Sequence, residues 1–121
     1  MASDKATITE LIAAIRTFAQ DRDWEQFHAP KNLSMALAAE AGELMEHFLW
    51  CESEKSRQFC QTPEKKAAIA DELADVLIYA LRFADVTGID PIVAINEKMQ
   101  RNKDRYPVEK FKGRSNKYNE L

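Results

Sequence analysis

The chain has 121 residues and a net charge of −3, and its 45% hydrophobic and 31% charged residues are the balance of a soluble globular protein. This length allows one domain with a single core. No stretch approaches the roughly 20 apolar residues of a membrane span and no apolar leader comes first, so we predict a cytoplasmic protein without a membrane partner. The 3 Gly and 4 Pro leave few breaks, which favours long helices over many short strands.

We assign no function to the two cysteines or to the basic C-terminal segment. Cys51 and Cys60 are the only cysteines and lack the spacing of a zinc site, so we predict reduced, structural thiols. Residues 98–117 include eight basic residues against two acidic ones. Such a segment could meet a polyanion, but a solvated basic tail is the commoner explanation. We therefore predict no nucleic-acid polymer as a partner.

Capping signals place the first two helices. Thr7-Ile-Thr-Glu10 resembles a capping box, in which a hydroxyl and a carboxylate satisfy the first free amides of a helix. Apolar residues then recur at helical spacing, so we predict a first helix over residues 8 to about 22. Asn32 is the expected N-cap of a second helix over residues 33 to about 50.

Proline marks the starts of the two later helices. Thr62-Pro63 places a hydroxyl before a Pro at the first helical position, and the third helix continues to Gly88, a good C′ residue. Asp90-Pro91 repeats this signal for a fourth helix. That helix must end near Arg105, because Pro107 follows.

The connecting segments are less regular. Residues 23–31 are predicted to form an ordered loop, residues 51–61 are polar and ambiguous, and residues 107–121 are predicted to be an irregular tail. The predicted fold is all-α: a single four-helix domain over residues 1–121, with a helical core of about 8–106.

Two pairs of carboxylates are the most informative feature of the chain. Glu40-x-x-Glu43 and Glu72-x-x-Asp75 lie in the second and third helices, inside apolar runs where charge is costly to bury. Residues i and i+3 share a helix face, so antiparallel packing of the two helices would gather four anionic groups. Bare carboxylates at that density repel each other, and an all-oxygen cluster favours a hard divalent ion, so we predict Mg²⁺. On an exposed helix the same spacing would be solvated surface.

Other side chains on the predicted helix faces suit a nucleotide. The third-helix face continues to Tyr79 and Arg82, and the second-helix face continues to His47 and Trp50. The fourth helix carries a basic and polar stripe: Lys98, Arg101, Asn102 and Arg105. A nucleotide needs a metal for its phosphates, a ring surface for its base and basic donors for its remaining charge. The simpler interpretation makes the rings core residues and the stripe solvated surface.

These motifs together resemble the all-α nucleoside triphosphate pyrophosphohydrolases, the MazG-like superfamily. The two carboxylate pairs have its order, with 28 residues between them. The segment Asp23-Trp-Glu-Gln-Phe-His28 and the C-terminal Lys117-Tyr118-x-Glu-Leu121 are similar to the dCTP pyrophosphatase branch of that superfamily. The resemblance covers the chain from about Ile8 onward.

The resemblance implies an activity and an assembly. Enzymes of this branch hydrolyse the α–β phosphoanhydride of dCTP and 5-modified dCTP with Mg²⁺, giving dCMP and pyrophosphate, which removes unwanted nucleotides from the pool. They form homodimers, often paired into homotetramers, with sites built by more than one subunit. Ile15 stands where some relatives carry a His that faces the base, which leaves the base preference open.

The resemblance also assigns residues to roles by their positions. Four carboxylates are expected to bind Mg²⁺: Glu40, Glu43, Glu72 and Asp75. Five residues are expected to line the pocket for the base and deoxyribose: Trp24, Phe27, His28, Trp50 and Tyr79. Lys98 and Asn102 are expected to contact phosphates and sugar. We assign Glu43 as the catalytic carboxylate nearest the attacking water.

Three alternatives stay open. The same chemistry could act on dUTP or on a broad range of nucleotides. A helical di-iron carboxylate protein also uses Glu on bundle helices, but it expects Glu-x-x-His motifs that are absent after Glu40, Glu43 and Glu72. A non-catalytic interaction module would leave the carboxylates as solvated charge, without turnover or stabilisation by Mg²⁺.

Overall fold

The computed structural model describes residues 4–120 of the chain, and the residues that it describes form helices and turns without a strand. This confirms the all-α prediction. Within residues 4–120, six α-helices follow in chain order: α1 (Ile8–Asp21), α2 (Pro30–Glu46), α3 (Ser56–Phe59), α4 (Pro63–Thr87), α5 (Pro91–Arg105) and α6 (Val108–Phe111). The same part of the chain has three 3-10 turns between or after the helices: Glu25–Phe27, Ser53–Lys55 and Tyr118–Glu120. No described helix has both the length and the apolar composition that crossing a membrane requires.

Helix α1 begins at the predicted capping box. Thr7 Oγ1 accepts a hydrogen bond from the Glu10 amide at 3.1 Å, and the Thr7 amide donates to Glu10 Oε1 at 3.3 Å. Two otherwise unsatisfied amides are thereby paired at one helix end. The observed end of α1 lies one residue before the predicted one, within the usual fraying of a helix terminus.

Helix α2 differs from its prediction at both ends. Pro30 occupies its first position and Ala29 is the N-cap, whereas the Asn32 side chain donates to the Phe27 carbonyl at 3.2 Å and caps nothing. The helix starts earlier because Pro at N1 is itself a start signal. It stops at Glu46, after which residues 47–50 form turns. The chain turns here and the Phe48 ring packs against Phe59, with 5.6 Å between centroids.

Helix α4 has the predicted bounds, and both α1 and α2 pack against it. It ends at Thr87, and its C-cap Gly88 takes a left-handed conformation with φ of 71°, the conformation that favours Gly at this position. Thr62 is its N-cap, but the hydroxyl donates to the Phe59 carbonyl rather than accepting from a helix amide. Helix α2 packs extensively against α4, and α1 packs against α4 as well.

The described residues contain few fully buried side chains. Ala19, Leu33 and Ala84 are the buried apolar residues, and Arg82 is buried with them at 3% exposure. By contrast, large apolar side chains on α2 and α4 are exposed: Met35, Met45, Leu73, Leu77 and Ile78. An apolar surface of this extent on a small helical protein is typical of a face that meets another chain.

The chain divides into two compact units, one ending at Ile89 and one beginning at Asp90. The prediction of a single domain stays a prediction, because compactness alone does not establish that a unit folds independently. In the second unit, α5 has the predicted bounds, and the Asp90 carboxylate accepts from the Ile92 and Val93 amides at 2.9 and 3.3 Å.

The segment predicted to be an irregular tail contains two short regular elements, with irregular backbone between them. Residues 108–111 form α6, and residues 118–120 form a 3-10 turn. Tyr106 contacts the rings of Phe111 and Tyr118 in edge-to-face geometry, with centroids 4.9 and 6.2 Å away. These ring contacts join residues that are not at helical spacing in the sequence, so no periodic pattern indicates them.

Thr7 and Thr62 allow a matched test of helix capping. Both are N-cap threonines, but only Thr7 accepts a hydrogen bond from a helix amide. Thr7→Ala should lower the free energy of unfolding by about 1 kcal/mol, the usual cost of removing an N-cap side chain. Thr62→Ala should lower it clearly less. Urea denaturation at one fixed protein concentration measures both, and equal losses would contradict this account of the capping box.

Candidate active site

The packing of α2 against α4 brings three of the four predicted metal ligands together. Glu40 and Glu43 lie on α2 and Glu72 lies on α4. One carboxylate oxygen from each lies within 4.8 Å of the other two. We call Glu40, Glu43 and Glu72 the carboxylate cluster. Its spacing is short enough for one cation to contact all three side chains.

The metal-free cluster disfavours its own ionisation. The pKa of Glu40 is raised to about 7, chiefly because its protonated form donates a hydrogen bond to Glu43, with burial and the charges of Glu43 and Asp75 adding to the effect. The pKa of Glu72 is also raised, first by burial and then by Glu43. In the described part of the chain, no basic side chain forms an ion pair with Glu40, Glu43 or Glu72. The cluster therefore lacks internal neutralisation.

Two oxygens of the cluster have no partner in the described part of the chain. Glu40 Oε2 and Glu72 Oε2 are buried and accept no hydrogen bond. Burying an ionised oxygen without a partner is strongly unfavourable. The donor set consists only of carboxylate oxygens, which hard divalent cations prefer. The residues present thus fit a divalent metal ion.

Asp75, the fourth predicted ligand, lies at the edge of this group. It is not one of the three side chains whose oxygens converge. Its negative charge nevertheless raises the pKa of both Glu40 and Glu72. Asp75 also lines a cavity together with Glu40, so it is near the carboxylate cluster and borders that cavity.

The cavity beside Asp75 has a volume of about 320 Å³, and we call it the aromatic cavity. Its walls come from α1, the 23–31 segment, α2 and α4: Ile15, Phe18, Ala19, Trp24, His28, Glu40, Asp75, Ile78, Tyr79 and Arg82. Three of the residues predicted to bind a base and sugar line it, namely Trp24, His28 and Tyr79. Its combination of ring surfaces with a few polar groups is typical of a small-molecule site.

Phe27 and Trp50, also predicted to bind substrate, do not line the aromatic cavity. Phe27 is 60% exposed. Trp50 is 98% exposed and borders a second cavity of about 630 Å³ with His47, Lys55 and Lys65. The predicted continuation of the α2 face to His47 and Trp50 is wrong, because α2 ends at Glu46. With this exposure, Trp50 is not a core residue of the single chain.

Lys98 and Asn102 lie on α5, in the second unit of the chain. Lys98 is exposed and Asn102 is half-buried. Their predicted contacts with phosphates and sugar stay predictions.

The sequence did not predict the buried cation in the wall of the aromatic cavity. The spacing places Arg82 on the helix face of Tyr79, but it indicates neither the burial of Arg82 nor its partners. An Arg inside the apolar run Leu-Ile-Tyr-Ala-Leu-Arg-Phe, followed by Asp85 three residues later, was the available signal. Charged side chains are rarely fully buried unless they are paired.

Comparison with known proteins identifies the family of this chain. The sequence model of the MazG-like family matches residues 35–121, which include all four predicted metal ligands. The chain belongs to the MazG-like family. This confirms the resemblance drawn from the carboxylate pairs and the DWEQFH segment.

Individual MazG-like relatives agree with the family assignment. The chain is 40% identical over 119 residues to dCTP pyrophosphatase 1 of Bos taurus, covering 98% of this chain and 70% of that protein. The Homo sapiens dCTP pyrophosphatase 1 gives the same identity and coverage. Among solved structures, a pyrophosphatase from Archaeoglobus fulgidus superposes with a TM-score of 0.78 at 35% identity, covering 88% of this chain and 98% of that one.

The raised pKa of Glu40 predicts how pH affects the metal-free protein. Between the ordinary Glu value and about 7, the folded state holds a proton at Glu40 that the unfolded state has released. Stability therefore falls as pH rises through that window. Glu40→Gln should remove much of this fall and should make the metal-free protein more stable than the wild type at pH 8.

Urea denaturation in a chelator at pH 5 and pH 8 measures the effect. Glu46→Gln is the matched control, because Glu46 is an exposed carboxylate at the end of the same helix. If both variants keep the pH dependence of the wild type, electrostatic repulsion in the carboxylate cluster does not limit stability.

Proposed function

We propose that this MazG-like protein is a nucleoside triphosphate pyrophosphohydrolase that cleaves dCTP to dCMP and pyrophosphate. One observation carries the proposal: the carboxylate cluster lies beside an aromatic cavity, and Glu40 belongs to both. A triphosphate needs cations and a base needs ring surface, so a nucleotide uses both features at once. Hydrolysis of dCTP would keep the nucleotide pool free of unwanted molecules.

The choice of dCTP rests on the relatives. Proteins named dCTP pyrophosphatase 1 match this chain over 98% of its length. We extend the proposal to 5-modified dCTP. Ile15 lines the aromatic cavity. Its side chain cannot form a hydrogen bond with the base, whereas a His at this position could. A related activity on dUTP or on several nucleotides is the alternative.

We propose Mg²⁺ as the metal, held by Glu40, Glu43 and Glu72 with Asp75 at the edge of the site. When bound, Mg²⁺ supplies positive charge that offsets the charge of the triphosphate oxygens. Carboxylate oxygens are ligands that suit this hard ion. The two buried oxygens without partners, Glu40 Oε2 and Glu72 Oε2, support the assignment.

Glu43 is our candidate for the carboxylate that acts on water. It is the exposed member of the carboxylate cluster, whereas Glu40 and Glu72 are half-buried. An exposed carboxylate can accept a hydrogen bond from a water molecule, orient it and take its proton. The oriented water then attacks the α-phosphorus in line with the leaving pyrophosphate. Glu40 and Glu72, being less accessible, are better placed to hold the metal.

The remaining predicted residues position the nucleoside and the phosphates. Trp24 and Tyr79 offer ring surface in the aromatic cavity, where a base can stack. We propose that Lys98 and Asn102 contact phosphates and sugar. Trp50 and Phe27 are exposed on the single chain, and we propose that they contact substrate in an assembled site.

We propose that the protein is a homodimer or a homotetramer. The exposed apolar side chains of α2 and α4 support an assembly, because a lone chain would leave them in water. Trp50 supports it too, since a ring with 98% exposure has little contact with its own chain. An interface on α2 and α4 would lie next to the carboxylate cluster, so that one subunit could complete the site of the other.

Light scattering at micromolar concentration tests the assembly. The chain mass is 13.9 kDa, so we expect about twice or four times that mass in solution. A mass of one chain would contradict the proposed assembly and the shared site.

Product analysis tests the activity. The protein should convert dCTP in the presence of Mg²⁺ to dCMP and pyrophosphate, whereas a phosphatase would release inorganic phosphate and dCDP. Glu43→Ala should reduce turnover by at least about a hundredfold, because general base catalysis alone is worth 10²–10⁴-fold. Its helical circular dichroism should be unchanged, because this exposed side chain is not part of the core.

Glu46→Ala is the matched control for Glu43→Ala. Glu46 lies one turn further along α2 and outside the carboxylate cluster, so this variant should keep near wild-type turnover. A panel with dUTP, dTTP and CTP separates the proposed base preference from the alternative. Absence of turnover with every nucleotide would overturn the enzyme assignment in favour of a non-catalytic module.

A further inference from the structure

Arg82 is the charged residue in the buried core of the described chain, and each nitrogen of its guanidinium has a polar partner. Nη1 donates to Asp85 Oδ2 at 2.9 Å, and Nη2 lies 3.6 Å from Glu25 Oε1. Nε donates to His28 Nδ1 at 3.0 Å. These partners come from two segments, the turn at residues 25–28 and α4 itself. Arg82 therefore ties the Trp24–His28 loop to the helix that carries Glu72.

The guanidinium of Arg82 is paired with two carboxylates without any contribution from His28. Asp85 accepts two hydrogen bonds from Arg16, at 2.6 and 2.8 Å, besides the one from Arg82. The pKa of Asp85 is lowered, first by the hydrogen bond from Arg16, so Asp85 stays ionised. Two guanidinium groups thus face two carboxylates, those of Asp85 and Glu25. A proton added to His28 would place a further positive charge beside buried Arg82.

The contact with Arg82 fixes which ring nitrogen of His28 carries the proton. A guanidinium has only donors and keeps its protons in proteins, so Nδ1 of His28 must be the acceptor. In a neutral imidazole the proton then lies on Nε2. Burial lowers the pKa of His28 and the charge of Arg82 lowers it further, whereas Glu25 acts in the opposite direction. The other carboxylates lining this cavity are Glu40 and Asp75.

We infer that Arg82 is a positioning residue that holds His28 as the Nε2–H tautomer, so that His28 donates a hydrogen bond to an acceptor on the bound nucleoside. His28 lines the aromatic cavity, and no described residue is a hydrogen-bond partner of its Nε2. The Nε2–H group of His28 can therefore donate a hydrogen bond to a ligand in the cavity. The identity of that ligand rests on the proposed function, whereas the tautomer does not.

The N–H group of His28 Nε2 determines which groups of the nucleoside can lie against it. It favours a carbonyl oxygen or another acceptor at the contacted position and disfavours an amino group, which would bring two donors together. The 2-oxo group that cytosine shares with uracil meets this demand, and so does a deoxyribose oxygen. In either case His28 supplies polar recognition in a cavity whose other walls are mostly rings and aliphatic side chains.

Nitrogen-15 NMR of the ligand-free protein tests the tautomer directly. The chain has two histidines, so the spectrum of His47→Gln assigns the signals of His28. We expect long-range proton–nitrogen correlations at pH 7.5 that show a protonated Nε2 and an unprotonated Nδ1. Arg82→Met should give a mixture of tautomers. A protonated Nδ1 in the wild type would overturn the inference, and this result does not depend on whether Arg82→Met folds.

Two substitutions of His28 test the donor. The amide of Asn can occupy the place of Nδ1 and accept from Arg82, but it offers no donor at the place of Nε2. The amide of Gln can place a donor there. His28→Asn should weaken binding of a non-hydrolysable dCTP analogue by about two- to tenfold, the value of one hydrogen bond, and His28→Gln should lose less. Isothermal titration calorimetry measures both.

The analogue without a 3′-hydroxyl separates the two acceptors. If the penalty of His28→Asn disappears with it, the acceptor is that hydroxyl; if the penalty persists, the acceptor is on the base or is another oxygen of the sugar. Unchanged affinity in both His28 variants would overturn the inference while leaving wild-type turnover, and hence the proposed function, intact. Conversely, a wild type that cleaves no nucleotide but shows the Nε2–H tautomer would overturn the proposed function and retain the positioning role of Arg82.

Discussion

The contact between α2 and α4 is the interaction on which the site depends, because it forces like charges together. Glu40 and Glu43 arrive on one helix and Glu72 on the other, and their oxygens converge within 4.8 Å. Packing of the neighbouring apolar side chains keeps the two helices in contact although their carboxylates repel each other. The buried oxygens of Glu40 and Glu72 accept no hydrogen bond from the described residues. The fold thus forms an anionic site that would be neutralised by a bound cation.

Helix α4 carries two charged residues away from water, and their charges are compensated in different ways. Near its middle, Glu72 belongs to a cluster that no basic side chain of the described residues neutralises. Three turns later, Arg82 is buried at 3% exposure and is matched by Asp85 and Glu25. The first arrangement demands an external ion, and the second is complete within the protein. The aromatic cavity is lined by Glu40 of the cluster and by Arg82 and His28, so a ligand there would meet the proposed metal site on one side and the His28 ring on the other.

Local signals in the sequence predicted the parts of the structure that local chemistry decides. The capping box at Thr7 and the prolines at 63 and 91 located three helix starts, and the i, i+3 carboxylates located the cluster. The end of α2 could not be predicted, because the apolar pattern continues beyond Glu46, whereas the chain leaves the helix there and Phe48 packs against Phe59 of α3. The same early end moved Trp50 off the expected face. The pairing of Arg82 with His28 joins residues 54 positions apart, which no local pattern shows.

Our central claim is that the carboxylate cluster is a metal site for a nucleoside triphosphate. A crystal structure grown with Mn²⁺ and a non-hydrolysable dCTP analogue would test it most directly, because Mn²⁺ replaces Mg²⁺ at oxygen ligands and scatters anomalously. We predict an anomalous peak about 2 Å from oxygens of Glu40, Glu43 and Glu72, with the triphosphate beside it and the base in the aromatic cavity. An analogue bound elsewhere, or a cluster without a peak, would contradict the claim.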